Sequence, residues 1–457
     1  MTELISFVFN IDNFYFLYQI KICYYNRSTL RLRISLYFYE IEVFMKTFNY
    51  KCKVPKFKYY FRHPVEQILF FDIETTGLSP KASSLYMIGV MFYNKADNNW
   101  HLTQFFADNY KSEAYMINSF LDILENYNYL YHFNGKTFDI PYILNKCAKH
   151  NITPSKHSDK ILNDKTGIYS IDILAYIRPV KKMLNLSKAN QTALERWLDI
   201  IRDDKFDGGK LIPIYVEYMQ KKILTPAKAE DLEKILLLHN YEDIENMLNV
   251  ASIMSYNDIS TLSPISDDET IFNEYSKQFY ISNITIDEDG MLNILCSVDK
   301  LIFPKKIEIS ISFPESSSEV YHETDNLQLT FEKNTILLKV PILSGILYHY
   351  IKNYKDYYYF SDKDIAIHKS VAAYMNKSHR KKATAATCYT KKQGYFIPSL
   401  QPLKNIKTGT DNCFNEYRLT LRDKISFYQI ENIPDLETAN INNSFWKNYV
   451  CMQLTKL

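Results

Sequence analysis

The stretch Phe70-Phe71-Asp72-Ile73-Glu74-Thr75-Thr76-Gly77 decides how this chain is read. It sets two carboxylates two residues apart in an otherwise apolar segment with strand character. Successive side chains on a strand point to opposite faces, so Asp72 and Glu74 share one face and Phe71 and Ile73 the other. Two acids side by side against a core repel each other and resist desolvation. A bound divalent cation removes both penalties, so the pair reads as half of a metal site.

Outward from this stretch, residues 64–256 alternate between strand and helix patterns. Strands are expected at Ile68–Ile73, Met87–Tyr93, Thr103–Phe106, Tyr129–Phe133 and Tyr169–Ile173. Helices are expected at Glu113–Tyr127, Pro141–His150, Asn190–Ile200, Ile212–Lys222 and Ala227–Met254. A strand meander followed by alternating helices and strands predicts an α/β domain, with a central mixed sheet and helices on its faces. The polar run 257–269 reads as a linker. Beyond it, Ile307–Phe313, Leu327–Phe331 and Tyr357–Phe360 alternate with period two, predicting a β-rich C-terminal domain over 270–457. Residues 1–44 form an extension whose run Leu30–Tyr37 alternates like a strand. Met45 reads as a plausible natural start, and a short N-terminal hairpin is the alternative.

The chain has 457 residues, 46% of them hydrophobic and 23% charged. That length predicts two or three domains with real cores. A net charge of +2 excludes a molecule-wide electrostatic attraction to nucleic acid, so any such binding rests on local patches. The seven cysteines are scattered, and none form a Cys-x-x-Cys pair, which argues against a zinc ribbon and a secreted disulfide framework. No apolar run is long enough to cross a bilayer, and a cytoplasmic location is the default expectation.

Two further segments carry acids. In Phe133-Asn134-Gly135-Lys136-Thr137-Phe138-Asp139-Ile140-Pro141, a strand ends, a glycine turn follows, and Asp139 stands before a helix. Asp is also an ordinary helix cap, so Asp139 alone decides nothing. In Leu238-His239-Asn240-Tyr241-Glu242-Asp243, His239 and Asp243 lie one helical turn apart, a spacing that a solvated surface pair shares.

Taken in order, the three segments resemble the four-carboxylate (DEDD, DnaQ-like) 3′–5′ exonuclease superfamily on the ribonuclease H-like fold, and within it the YprB-type ribonuclease H-like domain. Residues 172–213 are similar too, through Asp172-Ile173-Leu174, Leu194-Glu195, Ile201-Arg202-Asp203-Asp204, Gly208 and Ile212-Pro213. The resemblance implies that Asp72, Glu74, Asp139 and Asp243 ligate two divalent ions, Mg²⁺ or Mn²⁺, in a two-metal phosphodiester hydrolysis. It implies a catalytic set completed by His239, and substrate contacts from Asn134 and Phe138. The superfamily's histidine branch places its His five residues before the last Asp, and its tyrosine branch a Tyr four before. This chain has His239 at the tyrosine spacing, as the YprB-type domains do. His239 would either take the proton of the attacking water or orient it.

Other charges read as structure. Asp172 is expected to support the fold, Asp203 and Asp204 to be loop acids, and Arg178, Lys181, Lys182 and Lys188 to form a solvated basic loop or a phosphate track. In the C-terminal half, Lys377–Lys382 and Lys391-Lys392 interleave with Tyr389 and Tyr395. That pattern suits single-stranded nucleic acid, and it equally suits a solubilising surface. The expected activity is a metal-dependent nuclease, most simply a 3′–5′ exonuclease on single-stranded DNA or RNA, with nucleic acid as its partner. A non-catalytic nucleic-acid-binding or scaffold module and a structure-selective endonuclease are the alternatives.

Overall fold

The computed structural model describes residues 2–11, 14–25, 31–41, 45–109, 111–264, 277–313, 326–375, 380–403, 414–430 and 444–456, the first three ranges by backbone alone. Along the chain come strands β1 (Thr2–Ile11), β2 (Phe14–Tyr25), β3 (Arg31–Ile41), β4 (Lys46–Lys51), β5 (Ile68–Thr75), β6 (Leu85–Asn94) and β7 (Asn99–Phe106). Helix α1 (Glu113–Leu124), β8 (Tyr129–His132), α2 (Asp139–Lys149), α3 (Lys156–Leu162) and β9 (Ser170–Asp172) follow. Then come α4 (Ile173–Ile177), α5 (Gln191–Trp197), α6 (Gly208–Leu224), α7 (Pro226–Ala251) and α8 (Met254–Asp258). The chain divides into two compact units. The first comprises Met1–Val54, Pro64–Asp172 and Ile201–Met247, the second Pro55–His63, Ile173–Ile200 and Leu248–Leu457.

The first unit is built on a six-stranded sheet in the order β4-β7-β6-β5-β8-β9. β4, β7, β6 and β5 pair antiparallel, whereas β5–β8 and β8–β9 are parallel. Short connections suffice for the antiparallel meander, and the parallel pairs need the helical crossovers that α1 and α2–α3 supply. The expected mixed sheet with flanking helices is therefore present, with β4 as an edge strand the sequence reading did not contain. β1–β2–β3 form a separate antiparallel sheet, in line with the alternation read in that region.

Alternation along β5 works as its residues dictate. Leu69, Phe71 and Ile73 enter the core, where Phe71 stacks on Phe120 of α1 with ring centroids 5.2 Å apart. Phe70 lies on the acids' face and packs against Trp100 and Tyr131. The apolar half of β5 thus anchors a strand whose C-terminal half carries the carboxylates. β6 supplies a gap opposite them: Gly89 pairs with Asp72 in register. A Cβ on Gly89 would meet Ile244 Cδ1 at 2.1 Å and Asn240 Oδ1 at 2.3 Å. Only glycine lets α7 come this close to the sheet.

A buried ion cluster ties the helices to the meander. Glu113, at the start of α1, accepts the Leu85 N–H at 2.8 Å and pairs with Lys146 at 2.7 Å, Lys149 at 3.1 Å and His150 at 2.6 Å. Burial works against its ionised form, but these donors prevail and hold the carboxyl at about 2.

The second unit is β-rich, as expected. Strands β10 (Ser263–Pro264), β11 (Gln278–Ile286), β12 (Leu292–Asp299), β13 (Phe303–Ser312), β14 (Asn326–Lys333) and β15 (Thr335–Val340) make one sheet, ordered β10-β11-β12-β15-β14-β13. Strands β16 (Leu343–Tyr350), β17 (Tyr357–Phe360), β18 (Ile365–His368), β19 (Arg380–Lys382), β20 (Tyr389–Ser399) and β21 (Ser426–Ile430) make two three-stranded sheets, β16-β20-β21 and β18-β17-β19. Helices α9 (Lys369–Ala372) and α10 (Ser444–Leu454) join α4, α5 and α8 among the described residues of this unit.

The polar run expected to be a linker opens inside α8, where the fully buried Asp258 pairs with Arg62 and Lys277 and accepts the Tyr59 hydroxyl at 2.9 Å. Residues 265–269 of that run lie outside the described residues, as do Lys377–His379 of the basic cluster. Of its described part, Arg380 stacks on Tyr358, 4.8 Å to the ring centroid, and Lys391 pairs with Asp364. Among the described residues no helix is long and apolar enough to cross a membrane.

Candidate metal centre

Three elements of the first unit deliver the acids. β5 carries Asp72 and Glu74, the start of α2 carries Asp139, and α7 carries His239 and Asp243. Glu74, Asp139 and His239 are buried, and Asp72 and Asp243 are partly so. Asp139 was expected just ahead of its helix; it is instead the first residue of α2, with Phe138 in the preceding position. Its carboxylate is thereby within reach of its own backbone N–H and that of Ile73.

The turn leading to it is built by local polar contacts. Asn134 is left-handed, with φ 61°, a conformation asparagine tolerates better than most residues. Asp172, at the end of β9, accepts the Asn134 N–H at 2.9 Å, which is the supporting role the sequence suggested. The Asn134 side chain accepts the Thr137 hydroxyl at 3.0 Å, and Gly135 donates to His132 Nδ1 at 3.0 Å. Phe138 packs partly buried against Tyr142, ring centroids 5.6 Å apart.

The acids feel one another strongly. Burial pushes the Asp72 carboxyl well above the usual range, and Asp139, Asp243 and Glu74 push it further. Glu74 is raised to about 8, chiefly by burial, with His239 pulling down and Asp243 and Asp139 pushing up. Asp139 is raised to about 7 by burial, against its backbone donors and with repulsion from Asp172 and Asp243. Burial lowers the His239 imidazole, but Glu74, Asp243 and Asp204 outweigh it, so the net shift is upward. Burial leads each carboxyl shift, and repulsion among the gathered acids adds to it.

This donor set fits a divalent cation. One ligand atom each from Glu74, His239 and Asp243 lies within 4.8 Å of the others. Asp72 and Asp139 add carboxylates coupled to the same cluster, and oxygen-rich ligation suits Mg²⁺ or Mn²⁺.

Several residues that hold the site escaped the sequence reading. Asn240 donates to Asp72 Oδ2 at 3.0 Å and accepts from Gln104 Nε2 at 2.8 Å. The Tyr86 hydroxyl reaches Glu74 Oε2 at 3.5 Å. Arg202 pairs with Asp243 Oδ1 at 2.6 Å, and Asp204 bonds His239 Nδ1 at 2.7 Å. Asp204 lies in a loop, as expected, but its side chain is buried. Asn240 stood beside His239 in the motif, but nothing local marked which way it points. Arg178, Lys181, Lys182 and Lys188 lie on the second unit.

Comparison with known proteins places the domain. Over 59 residues the chain is 41% identical to DNA polymerase 1 of Sulfurisphaera ohwakuensis, covering 13% of this chain and 7% of that one. A family B DNA polymerase from Pyrobaculum calidifontis superposes with a TM-score of 0.32 at 16% identity, covering 43% of this chain and 26% of that one. The zinc-bound form of an E. coli ExoI–ssDNA complex gives 0.23 at 12% identity, covering 71% and 64%. The chain therefore spans less than two thirds of each of these proteins, and its function has to be read from the site. Residues 69–255 match the model of the RNase_H superfamily. With the mixed sheet and flanking helices of the first unit, this part of the chain is a ribonuclease H-like domain.

Proposed function

We propose that the domain is a divalent-metal-dependent nuclease of the YprB-type, four-carboxylate class, a 3′–5′ exonuclease on single-stranded DNA or RNA. The observation that carries this is the gathering of Asp72, Glu74, Asp139 and Asp243 beside His239, acids close enough to raise one another's carboxyls. The 59-residue likeness to a DNA polymerase is consistent with work on nucleic acid.

Asp72, Glu74, Asp139 and Asp243 are the residues to hold two ions. Bound there, divalent cations would furnish hydroxide at neutral pH and neutralise charge on the phosphate oxygens. The protein's own contribution is position. Asn240 fixes the Asp72 carboxylate, Tyr86 touches Glu74, and the Ile73 N–H steadies Asp139. His239 Nε2 sits 3.2 Å from Asp243 Oδ2 and 3.6 Å from Glu74 Oε1, where it can take a proton from an attacking water or orient it. Asn134 and Phe138, on the turn before Asp139, are the proposed contacts to the substrate strand.

Linear and covalently closed circular single strands, incubated with the protein and Mn²⁺, test the class of cut. Shortened linear strands beside intact circles are expected. Nicked circles would make the enzyme an endonuclease, and cutting of neither would remove the nuclease reading.

A further inference from the structure

We infer that Asp204 is the positioning residue for His239, and that the segment Arg202–Asp204 is a working part of the proposed metal centre. The inference deepens the nuclease reading and rests on it for its consequence, while its geometry stands alone. The Asp204 side chain is 1% exposed, although it lies in a loop of mixed polar residues. A carboxylate withdrawn this far from water needs a partner, and its partner is the His239 ring, Oδ2 to Nδ1 at 2.7 Å.

The carboxylate oxygen is the acceptor of this bond, so Nδ1 carries the hydrogen and donates it. In the neutral ring the lone pair is then on Nε2. That nitrogen faces Glu74 and Asp243 at 3.6 and 3.2 Å. With the lone pair there, His239 can accept a proton or complete a cation's donor set. With a hydrogen there, it can do neither.

The loop is itself held by the helix it serves. The N–H groups of Asp203 and Asp204 both donate to the Glu242 carboxylate, at 2.9 and 3.0 Å. The other Asp204 oxygen accepts the Phe206 N–H at 3.1 Å, and Arg202 reaches Asp243 at 2.6 Å. His239, Glu242 and Asp243 lie within about one turn of α7, so the loop is strapped along the turn that presents the site. Asp204 is therefore held in place independently of the bond it makes to His239.

The test reads the tautomer directly. Metal-stripped protein labelled with ¹⁵N-histidine is examined by NMR at a pH alkaline enough to leave the ring neutral, with His239→Gln assigning the resonance. Wild type is expected to show Nδ1–H and an Nε2 lone pair. In Asp204→Ala the ring is expected to pass mainly to Nε2–H. Its Mn²⁺ affinity, measured by calorimetry without nucleic acid, is expected to fall about 10- to 100-fold. Asp204→Asn, which keeps the shape, serves the same comparison if the alanine variant does not fold, and is expected to weaken Mn²⁺ binding as well. Nε2–H in the wild type, or a folded variant with unchanged tautomer and affinity, would overturn the inference. Turnover is not read here, so a protein with the expected tautomer but no nuclease activity would sink only the functional reading.

Discussion

Under the proposed mechanism Asp72 carries opposite burdens in folding and in catalysis. Its ionised form is disfavoured by burial first, then by three neighbouring acids. Removing that charge while keeping the Asn240 contact relieves the fold. Asp72→Asn is therefore expected to raise the melting temperature of the metal-stripped protein by a few degrees, on the scale of ~2–4 °C per kcal/mol for a domain of this size. Calorimetry in EDTA measures this, and a lower melting temperature would show that the carboxylate is not repelled. The same substitution is expected to abolish turnover. The acids themselves were legible because strand alternation puts residues two apart on one face. Asp204 and Asn240 were not, since their partners, His239 and Asp72, lie 35 and 168 residues away along the chain. No local pattern encodes contacts at that separation.

At the level of elements, the site depends on how closely α7 lies on β6 and how α1 and α2 are tied to the meander. Gly89→Ala would place a methyl within 2.3 Å of Asn240 Oδ1 and 2.1 Å of Ile244 Cδ1, in a fully packed layer. Overpacking of this kind costs about 1–3 kcal/mol. Denaturant unfolding should show that loss, and turnover should fall with it, because Asn240 is pushed off Asp72. Unchanged stability would mean that α7 moves away freely.

Glu113 gives a pH signature remote from the proposed metal ligands. Its carboxyl is held at about 2, well below the usual glutamate range. A depressed acid contributes stability that is complete above the unfolded value and is lost as pH falls toward the folded one. Between pH 7 and 3 the wild type should lose about 2 kcal/mol more than Glu113→Gln. Urea unfolding of both across that range measures the difference; parallel curves would show that the cluster contributes nothing through Glu113. The helix expected at Pro141–His150 begins instead at Asp139, because the turn set by Asn134 and Asp172 starts it earlier than the proline suggested. Edge strand β4 went unread because its alternating exposed and half-buried residues have little apolar contrast.

For the molecule as a whole, the β-rich half was legible from its period-two pattern, whereas its strand order was not. Pairings such as β12 with β15 join segments some forty residues apart, and alternation says nothing about which strand lies beside which. The proposed metal centre predicts that the protein's stability depends on metal. A cation bound only by the folded state stabilises it by about 2.7 kcal/mol at a hundred times its dissociation constant. Mn²⁺ should therefore raise the melting temperature of the wild type and leave Asp72→Ala nearly unmoved. An equal rise in both would place the ion elsewhere.

The central claim is tested most directly by following 5′-end-labelled single-stranded DNA and RNA with the purified protein and Mn²⁺, beside Asp72→Ala and an EDTA control. The account predicts a ladder that shortens stepwise from the 3′ end in the first reaction and is absent from both controls. Cleavage by Asp72→Ala at the wild-type rate, or no metal-dependent cleavage of either strand by folded protein, would contradict it.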